Sequence, residues 1–348
     1  MTRTRKNTPA NISIEDVARR AGVSITTVSR VINKIPTVKE RNKLRVLEVI
    51  KELNFQPSIF AQRLATGKSN IVALVIPRYE GVFYSFYALE LIRGIGTLCD
   101  VFKLDLLLHL TDVRSSLNLR GVGGIIFADI IGNRHQLEEA LVNNIPTVVI
   151  NYYVEDLNVS CVAVDNIGGA ENAVNYLFSM GHRKIAHIAG DVVTQAAAHR
   201  LEGYKQGLKK NNIEVDQKYI FKTDYSRGQA RVAVENLFRM QEAPTAVFVA
   251  SDSMALEVMA VAREMGKNIP GDLSIVGFDD NPSGLYGPVS LTTVRQPLIK
   301  MAEEGVKELE RLMNMKKGTQ EVVSSKTAQF RKVFLPTELV IRESCRAL

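Results

Sequence analysis

The chain has 348 residues, 46% apolar and 23% charged; that is the composition of a globular protein, and the length exceeds one compact core, so two or three domains are expected. No window approaches the roughly 20 consecutive apolar residues of a membrane helix, and no apolar run follows Arg3, Arg5 and Lys6. Neither a membrane span nor a secretory leader is therefore expected, and the location read from this is cytoplasmic. The net charge of +7 is unevenly held, because residues 1–70 contain 14 Lys/Arg against 5 Asp/Glu while the remainder is slightly acidic. This asymmetry points to a polyanion as partner of the amino-terminal part, and a compact head without a broad apolar face suits nucleic acid better than anionic lipid.

Residues 1–11 form a flexible basic arm, placed either along a phosphate backbone or simply frayed. Residues 12–33 then read as two short helices joined by a tight turn. Ser13 is an N-cap before the apolar positions Ile14, Val17 and Ala18, and Glu15 and Asp16 complement the positive end of the helix dipole. Ala21, Gly22 and Val23 supply the small residue, the permissive backbone and the apolar plug of a sharp turn, and Ser24 caps the second helix. Val28, Val31 and Ile32 face inward on that helix. Ile25, Thr26, Thr27, Ser29, Arg30 and Asn33 face outward, short polar groups plus one guanidinium that suit phosphates and base edges in a major groove, although a plain helical hairpin with a solvated face has the same pattern. Thr37 and Glu40 have the spacing of a capping box that opens a third helix, in which Leu44, Val46, Leu47, Ile50 and Leu53 are expected to supply the core.

The words Ile14-Glu15-Asp16-Val17-Ala18, Ala21-Gly22-Val23-Ser24 and Thr27-Val28-Ser29-Arg30-Val31-Ile32-Asn33 strongly resemble the head of LacI/GalR-type bacterial repressors. Residues 12–55 are thus expected to be a helix-turn-helix DNA-binding domain. Ile25, Thr26 and Arg30 read bases, with Arg30 suited to a bidentate guanine contact, while Ser24, Thr27, Ser29 and Asn33 hold phosphates. Residues 56–70, with the Gln56-Pro57 break, read as a hinge helix and linker; the resemblance implies that this helix enters the minor groove and that Leu64 is its wedge, the alternative being that Leu64 only packs the linker.

From residue 71 the pattern changes to short apolar strands alternating with amphipathic helices, which predicts βα units and mainly parallel sheets. Strands are expected near 71–76, 104–109, 124–127, 147–150, 161–164, 185–189, 219–222, 246–250 and 274–278, with helices including 87–102, 167–180, 200–211, 227–238 and 253–265. The family resemblance continues through Val164-Asp165-Asn166, Gly181-His182-Arg183-Lys184-Ile185-Ala186, Arg200-Leu201-Glu202-Gly203-Tyr204, Val276-Gly277-Phe278-Asp279-Asp280, Leu291-Thr292-Thr293-Val294-Arg295-Gln296-Pro297 and Leu335-Pro336-Thr337-Glu338-Leu339. It implies that residues 71–348 are an effector-binding and dimerisation core: two doubly wound, mainly parallel-sheet α/β lobes, periplasmic-binding-protein-like, with three crossovers and a ligand cleft. Lobe 1 would comprise about 70–165 and 294–317, and lobe 2 about 166–293 and 318–348. One departure stands out, since residues 111–122 leave room for only a turn or two where the family has a full helix. That helix borders the family's dimer surface, so the dimer contact is expected to differ.

A sugar or related polyol needs planar polar groups for its hydroxyls and an apolar or aromatic face, gathered at the carboxyl ends of the strands. Asp279, Ser251, Asp252 and Asn151 each follow an apolar strand run. By resemblance Asn151, Arg200, Ser251 and Asp279 contact the effector and Tyr225 stacks on it; Asp279-Asp280 has a bland reading as a turn or helix cap. Phe83, Tyr84, Phe86 and Tyr87 crowd the first βα loop, either closing the other side of the cleft or forming core between the lobes.

Cys99, Cys161 and Cys345 are widely spaced and fit reduced thiols, and His182 and His187 have no carboxylate at metal-ligand spacing, so neither a disulfide nor a metal site nor any cofactor is expected. No nucleophile elbow or P-loop is present, and Gly121-Val122-Gly123-Gly124 precedes a strand instead of following one, so no enzyme is expected. The reading is a sequence-specific regulator, a repressor, that binds a pseudo-palindromic double-stranded DNA operator as a homodimer and is controlled by a sugar-like effector. Tetrameric members resembling it carry a further leucine-rich helix at the carboxyl end, which is not seen after Leu348, so a dimer is expected. The rival readings are a solute-binding receptor, a sugar-modifying enzyme with a DNA-binding head, and an architectural DNA-binding protein without effector.

Overall fold

The computed structural model describes residues 12–33, 35–55, 69–79, 81–317 and 330–348. The chain divides into two compact units, a head up to Asn70 and a core from Ile71 to Leu348.

The head is built on helices α1 (Ile14–Ala21), α2 (Ile25–Ile32) and α3 (Glu40–Glu52). Ser13 and Asp16 form a reciprocal capping box at the start of α1. Gly22 closes it in the left-handed conformation (φ 62°), where a side chain would be strained and its Cβ would also meet the Arg45 guanidinium. Val17, Ala18, Ala21, Val28, Val31, Val46 and Val49 make the small buried core. Arg20 and Glu52 join α1 to α3 at 2.6 Å.

Two expectations for α3 are overturned. The helix starts at Glu40, behind Lys39 and with no side-chain cap, so Thr37 lies too far upstream to reach the first turn, and Glu40 pairs with Lys43 instead. Leu44 and Leu47 are 60% and 46% exposed. The inward stripe is Val46, Val49, Ile50 and Leu53, spaced i, i+3, i+4, i+7, and the two leucines fall off it. Leu64 and residues 56–68 lie outside the described residues.

The core holds two six-stranded sheets. Its first lobe contains β1 (Ile71–Pro77), α4 (Phe86–Val101), β2 (Asp105–Thr111), β3 (Gly124–Ala128), α5 (Arg134–Val142), β4 (Thr147–Ile150) and β5 (Ser160–Val164). The second follows with α6 (Asn166–Ser179), β6 (Ile185–Ala189), α7 (Gln195–Lys210), β7 (Ile220–Lys222), α8 (Arg227–Arg239), β8 (Ala246–Val249), α9 (Asp252–Glu264), β9 (Ser274–Asp279) and β10 (Thr292–Arg295). The chain then returns to the first lobe as α10 (Leu298–Lys317) and ends with β11 (Lys332–Leu335) and β12 (Glu338–Val340).

The first sheet runs β11-β5-β4-β3-β1-β2, all parallel, and the second β12-β10-β9-β8-β6-β7, parallel except for the antiparallel β12. Both faces of each sheet are covered, so the strands are near-continuous apolar runs, as in Val72 to Ile76 and Ala246 to Val249. Three passages link the lobes, after β5, after β10 and between β11 and β12. The lobe limits differ from expectation at two places: Val294 and Arg295 pair with β9 in the second sheet, and β11 pairs with β5 in the first, although residues 318–348 were all expected in the second lobe. Helix α7 also begins five residues early, because Thr194 caps it by accepting from Ala197 N–H at 3.2 Å and the Ala-rich first turn carries no apolar periodicity. Residues 112–123 contain no helix, in keeping with the shortened segment.

Candidate functional site

In the head, α2 presents two classes of side chain. Ser24 is its N-cap and accepts from Thr27 N–H at 3.2 Å, with the two hydroxyls 2.9 Å apart; Ser29 accepts from the Asn33 amide at 3.4 Å. Ile25, Thr26 and Arg30 are exposed, and the Arg30 guanidinium has no partner among the described residues, while Thr27, Ser29 and Asn33 are half-buried. An exposed guanidinium beside small hydroxyls on one short helix offers bidentate donors to base edges and weaker donors to phosphates.

The core concentrates its polar chemistry at the carboxyl ends of its strands. Arg200, on α7, is buried: its Nε donates to Asn166 Oδ1 at 2.9 Å, and its Nη1 donates to the Ala250 carbonyl at 2.6 Å and lies 3.9 Å from Asp279. Its guanidinium also sits 3.9 Å over the Phe278 ring. Asp279 ends β9 and accepts from Gln296 Nε2 at 2.6 Å. Across in the first lobe, Asn151 follows β4 and donates to both oxygens of Asp129, which follows β3, at 3.2 and 3.0 Å. Tyr225 packs its ring on Gly190, where a Cβ would lie 2.1 Å from the ring, so only glycine fits.

Electrostatics show that these groups share one neighbourhood. Burial pushes Asp129 up to about 6, against the pull of Asn151, Tyr87 and the Arg200 charge. Burial likewise raises Asp279 to about 6, with Arg200 opposing. Tyr225 is raised by burial while sensing Arg200, Asp279 and Asp129 together. Asp252 is raised to about 7 by burial and by the Asp279 charge; it accepts from Thr293 Oγ1 at 2.6 Å and Asn281 N–H at 2.7 Å.

Backbone strain marks the same residues. Nine described non-glycine residues have positive φ, and Asn54, Lys103, Asn144 and Asn212 among them simply follow helix ends. The others are Asp129 (70°), Asn151 (61°), Tyr225 (66°), Asp279 (130°) and its neighbour Asp280 (59°), four of them in the polar cluster. Backbone strain of this kind clusters at ligand sites, where the surrounding packing holds it.

Four of the five expected cleft residues, Asn151, Arg200, Tyr225 and Asp279, thus come together. Ser251 is buried as the N-cap of α9, accepting from Met254 N–H at 3.4 Å, and its hydroxyl faces Ser253; it adjoins the Ala250 carbonyl that holds Arg200. Sequence reasoning missed Asp129 and gave Gln296 no role. Asp129 stands directly after an apolar strand, so the strand-end rule applied to Asn151 and Asp279 would have found it. Phe86 and Tyr87 pack on the first lobe's core, with the Tyr87 hydroxyl buried near Asp129, while Phe83 and Tyr84 are exposed.

Both internal histidines are core residues. His182 bonds Thr245 Oγ1 and the Arg346 carbonyl, and His187 lies between Tyr204 and Phe248, bonded through Nδ1 to the Phe248 carbonyl and lowered to about 4 by burial. Among the described residues no group of side chains could hold a metal ion, and no helix is long and apolar enough to cross a membrane.

A helix-turn-helix head followed in one chain by a two-lobed, doubly wound core defines a DNA-binding transcription regulator with a periplasmic-binding-protein-like domain. Residues 13–58 match the family described as bacterial regulatory proteins, lacI family, and residues 174–345 match the periplasmic binding protein-like domain. Catabolite control protein A of Priestia megaterium is 34% identical over 346 residues, covering 97% of this chain and all of that protein. The lac repressor dimer bound to operator and the anti-inducer ONPF superposes with a TM-score of 0.81 at 25% identity, over 97% of this chain and 99% of that one. The CelR-cellobiose complex gives 0.70 at 28% identity, over 96% and 99%. The chain belongs to the LacI family of bacterial regulatory proteins, whose members are transcription regulators and not enzymes.

Proposed function

We propose that this regulator binds a pseudo-palindromic operator as a homodimer in the cytoplasm, and that a sugar or related polyol in the inter-lobe cleft alters its operator affinity. The observation that carries this reading is the convergence of Arg200, Asp279, Asp129, Asn151 and Tyr225, drawn from both lobes, on one neighbourhood with strained backbone at four of the five. Planar amides, carboxylates and a guanidinium beside an aromatic ring suit vicinal hydroxyls and a sugar face. A ligand held from both lobes favours one lobe arrangement over another, which is the differential affinity that any coupling to DNA requires.

Ile25, Thr26 and Arg30 read bases, and Ser24, Thr27, Ser29 and Asn33 hold phosphates. Leu64 is the minor-groove wedge. The reading is supported by the exposure of Arg30 and Ile25 on α2, and by a relative solved as a dimer on its operator and another solved with cellobiose. One short recognition helix reads few base pairs, which makes a symmetric pair of heads the expected geometry.

The test is selection of genomic DNA fragments by the purified full-length protein, with and without added metabolites. One enriched pseudo-palindrome whose occupancy changes with a sugar is the expected result. Salt-sensitive binding without sequence preference would overturn the reading.

A further inference from the structure

The cleft is rich in acceptors and short of cations. Three carboxylates meet there, Asp129, Asp252 and Asp279, against the single guanidinium of Arg200. Arg200 spends its hydrogen bonds on Asn166 and the Ala250 carbonyl and lies nearest Asp279, which Gln296 also serves. Asp252 is served by Thr293 and the Asn281 N–H. Asp129 is different: it is buried, its polar neighbours are the neutral amide of Asn151 and the neutral hydroxyl of Tyr87, and no cation lies within ion-pair distance among the described residues, the Arg200 charge acting on it only from further off.

The unpartnered buried atoms nearby have the same bias. Asn151 Oδ1 and Gln296 Oε1 are acceptors without donors, while the Tyr87 hydroxyl beside Asp129 is a donor that brings no charge. A buried carboxylate lacking a counter-charge is costly, and it is relieved by a proton or by a cation. An unpaired acceptor beside it asks for a donor as well.

Resting on the reading that the cleft binds a polyol, we propose that the effector is an amino-polyol whose ammonium group lies against Asp129 and Asn151 Oδ1. An ammonium brings the missing positive charge together with three N–H donors, enough for the Asp129 carboxylate and the Asn151 oxygen. A hydroxyl of a neutral sugar supplies one donor and leaves the charge uncompensated. A sugar acid or phosphate brings a further negative group towards Asp129 and Asp279, with one guanidinium to answer it, and is disfavoured. Asp129 is therefore the residue that sets ligand charge, while the second-lobe groups Arg200 and Asp279 serve the hydroxyls.

The test uses the full-length protein in thermal-shift and calorimetric titrations at pH 7.5 with matched sets: the neutral hexose, the 2-amino sugar, its N-acetyl derivative and the uronate, in the gluco, galacto and manno series. The expected result is a set in which the amine binds at least tenfold more tightly than its neutral parent, acetylation removes the gain, and Asp129→Asn abolishes the preference while weaker binding of the neutral parent persists. Neutral or acidic members binding as well as the amine would overturn the ammonium proposal and leave the polyol reading standing. So would a preference unchanged in Asp129→Asn. If no member shifts the protein, the polyol reading fails and the proposal with it; a cooperative thermal transition of Asp129→Asn, with binding of the neutral parent kept, excludes misfolding of the core as the cause of a lost preference.

Discussion

The recognition helix and the cleft handle polar side chains in opposite ways. On α2 the groups that face outward are held by neighbours three or four residues away, Ser24 with Thr27 and Ser29 with Asn33, and Arg30 has no partner among the described residues. In the cleft the contacts between charged and amide groups join residues far apart in the chain, Asn151 to Asp129, Arg200 to Ala250 and Gln296 to Asp279, and are shielded from solvent. The head keeps its chemistry free for a partner that brings its own charges. The core encloses opposed charges in a poorly solvated space, where each group depends on its neighbours. Substitutions in the cleft should therefore change core stability, in a direction set by the charge they leave behind, whereas those at the outward positions of α2 should change only binding.

The largest effect that would sharpen this contrast is at Arg200. Replacing it with Met leaves Asp279 and Asn166 buried without their partner and should cost about 3 to 5 kcal/mol of core stability, read by urea unfolding. A loss near zero would mean that the cluster is not interdependent.

Next is Asp129, whose pKa stands at about 6 instead of 3.8 because of burial. Between those values the folded protein holds a proton that the unfolded chain has released, so this group's contribution declines as pH rises through the window and is at its least favourable above it. Asp129→Asn should then stabilise the ligand-free protein by about 2 to 3 kcal/mol at pH 7.5, a gain that shrinks towards pH 4. Urea midpoints for the two proteins at both pH values check the sign.

Arg30→Ala should leave the head's melting temperature unchanged, since the guanidinium has no partner among the described residues. It should weaken specific DNA binding by about 1 to 3 kcal/mol and relax preference at one base pair per half-site. A binding-site logo identical to that of the parent protein would remove Arg30 from the readers. The smallest expected effect is at Leu44, which is 60% exposed: Leu44→Ala should change head stability by under about 0.5 kcal/mol, whereas Val46→Ala, in the buried stripe, should cost roughly 1 to 3 kcal/mol.

Much of the head could be read in advance because its determinants are local. Ser13, Gly22 and Ser24 act within one turn of themselves, and the inward positions of α2 follow from helix periodicity. The same logic failed in α3, where apolar character alone suggested Leu44 and Leu47 for the core; the stripe is set by which face meets α1 and α2. In the core, strands bounded by strand-end polar residues were legible for the same local reason, and four of the five residues named for the cleft do converge. Asp129 was overlooked although it obeys the rule used for Asn151.

By itself the sequence determined the caps at Ser13 and Ser24, the turn at Gly22 and the alternation of strands and helices, all set by residues within a few positions of one another, and the basic head on a slightly acidic core. Tertiary structure alone decided that β11 joins the first sheet, that Asp129 shares its charge with Asn151 while Arg200 is occupied by Asn166, Ala250 and Asp279, and that Ser251 serves as a cap. Those outcomes depend on which distant strands lie side by side and on how much solvent they exclude. Burial turns an ordinary aspartate into one whose charge must be answered by a partner, and burial is a property of the packed chain.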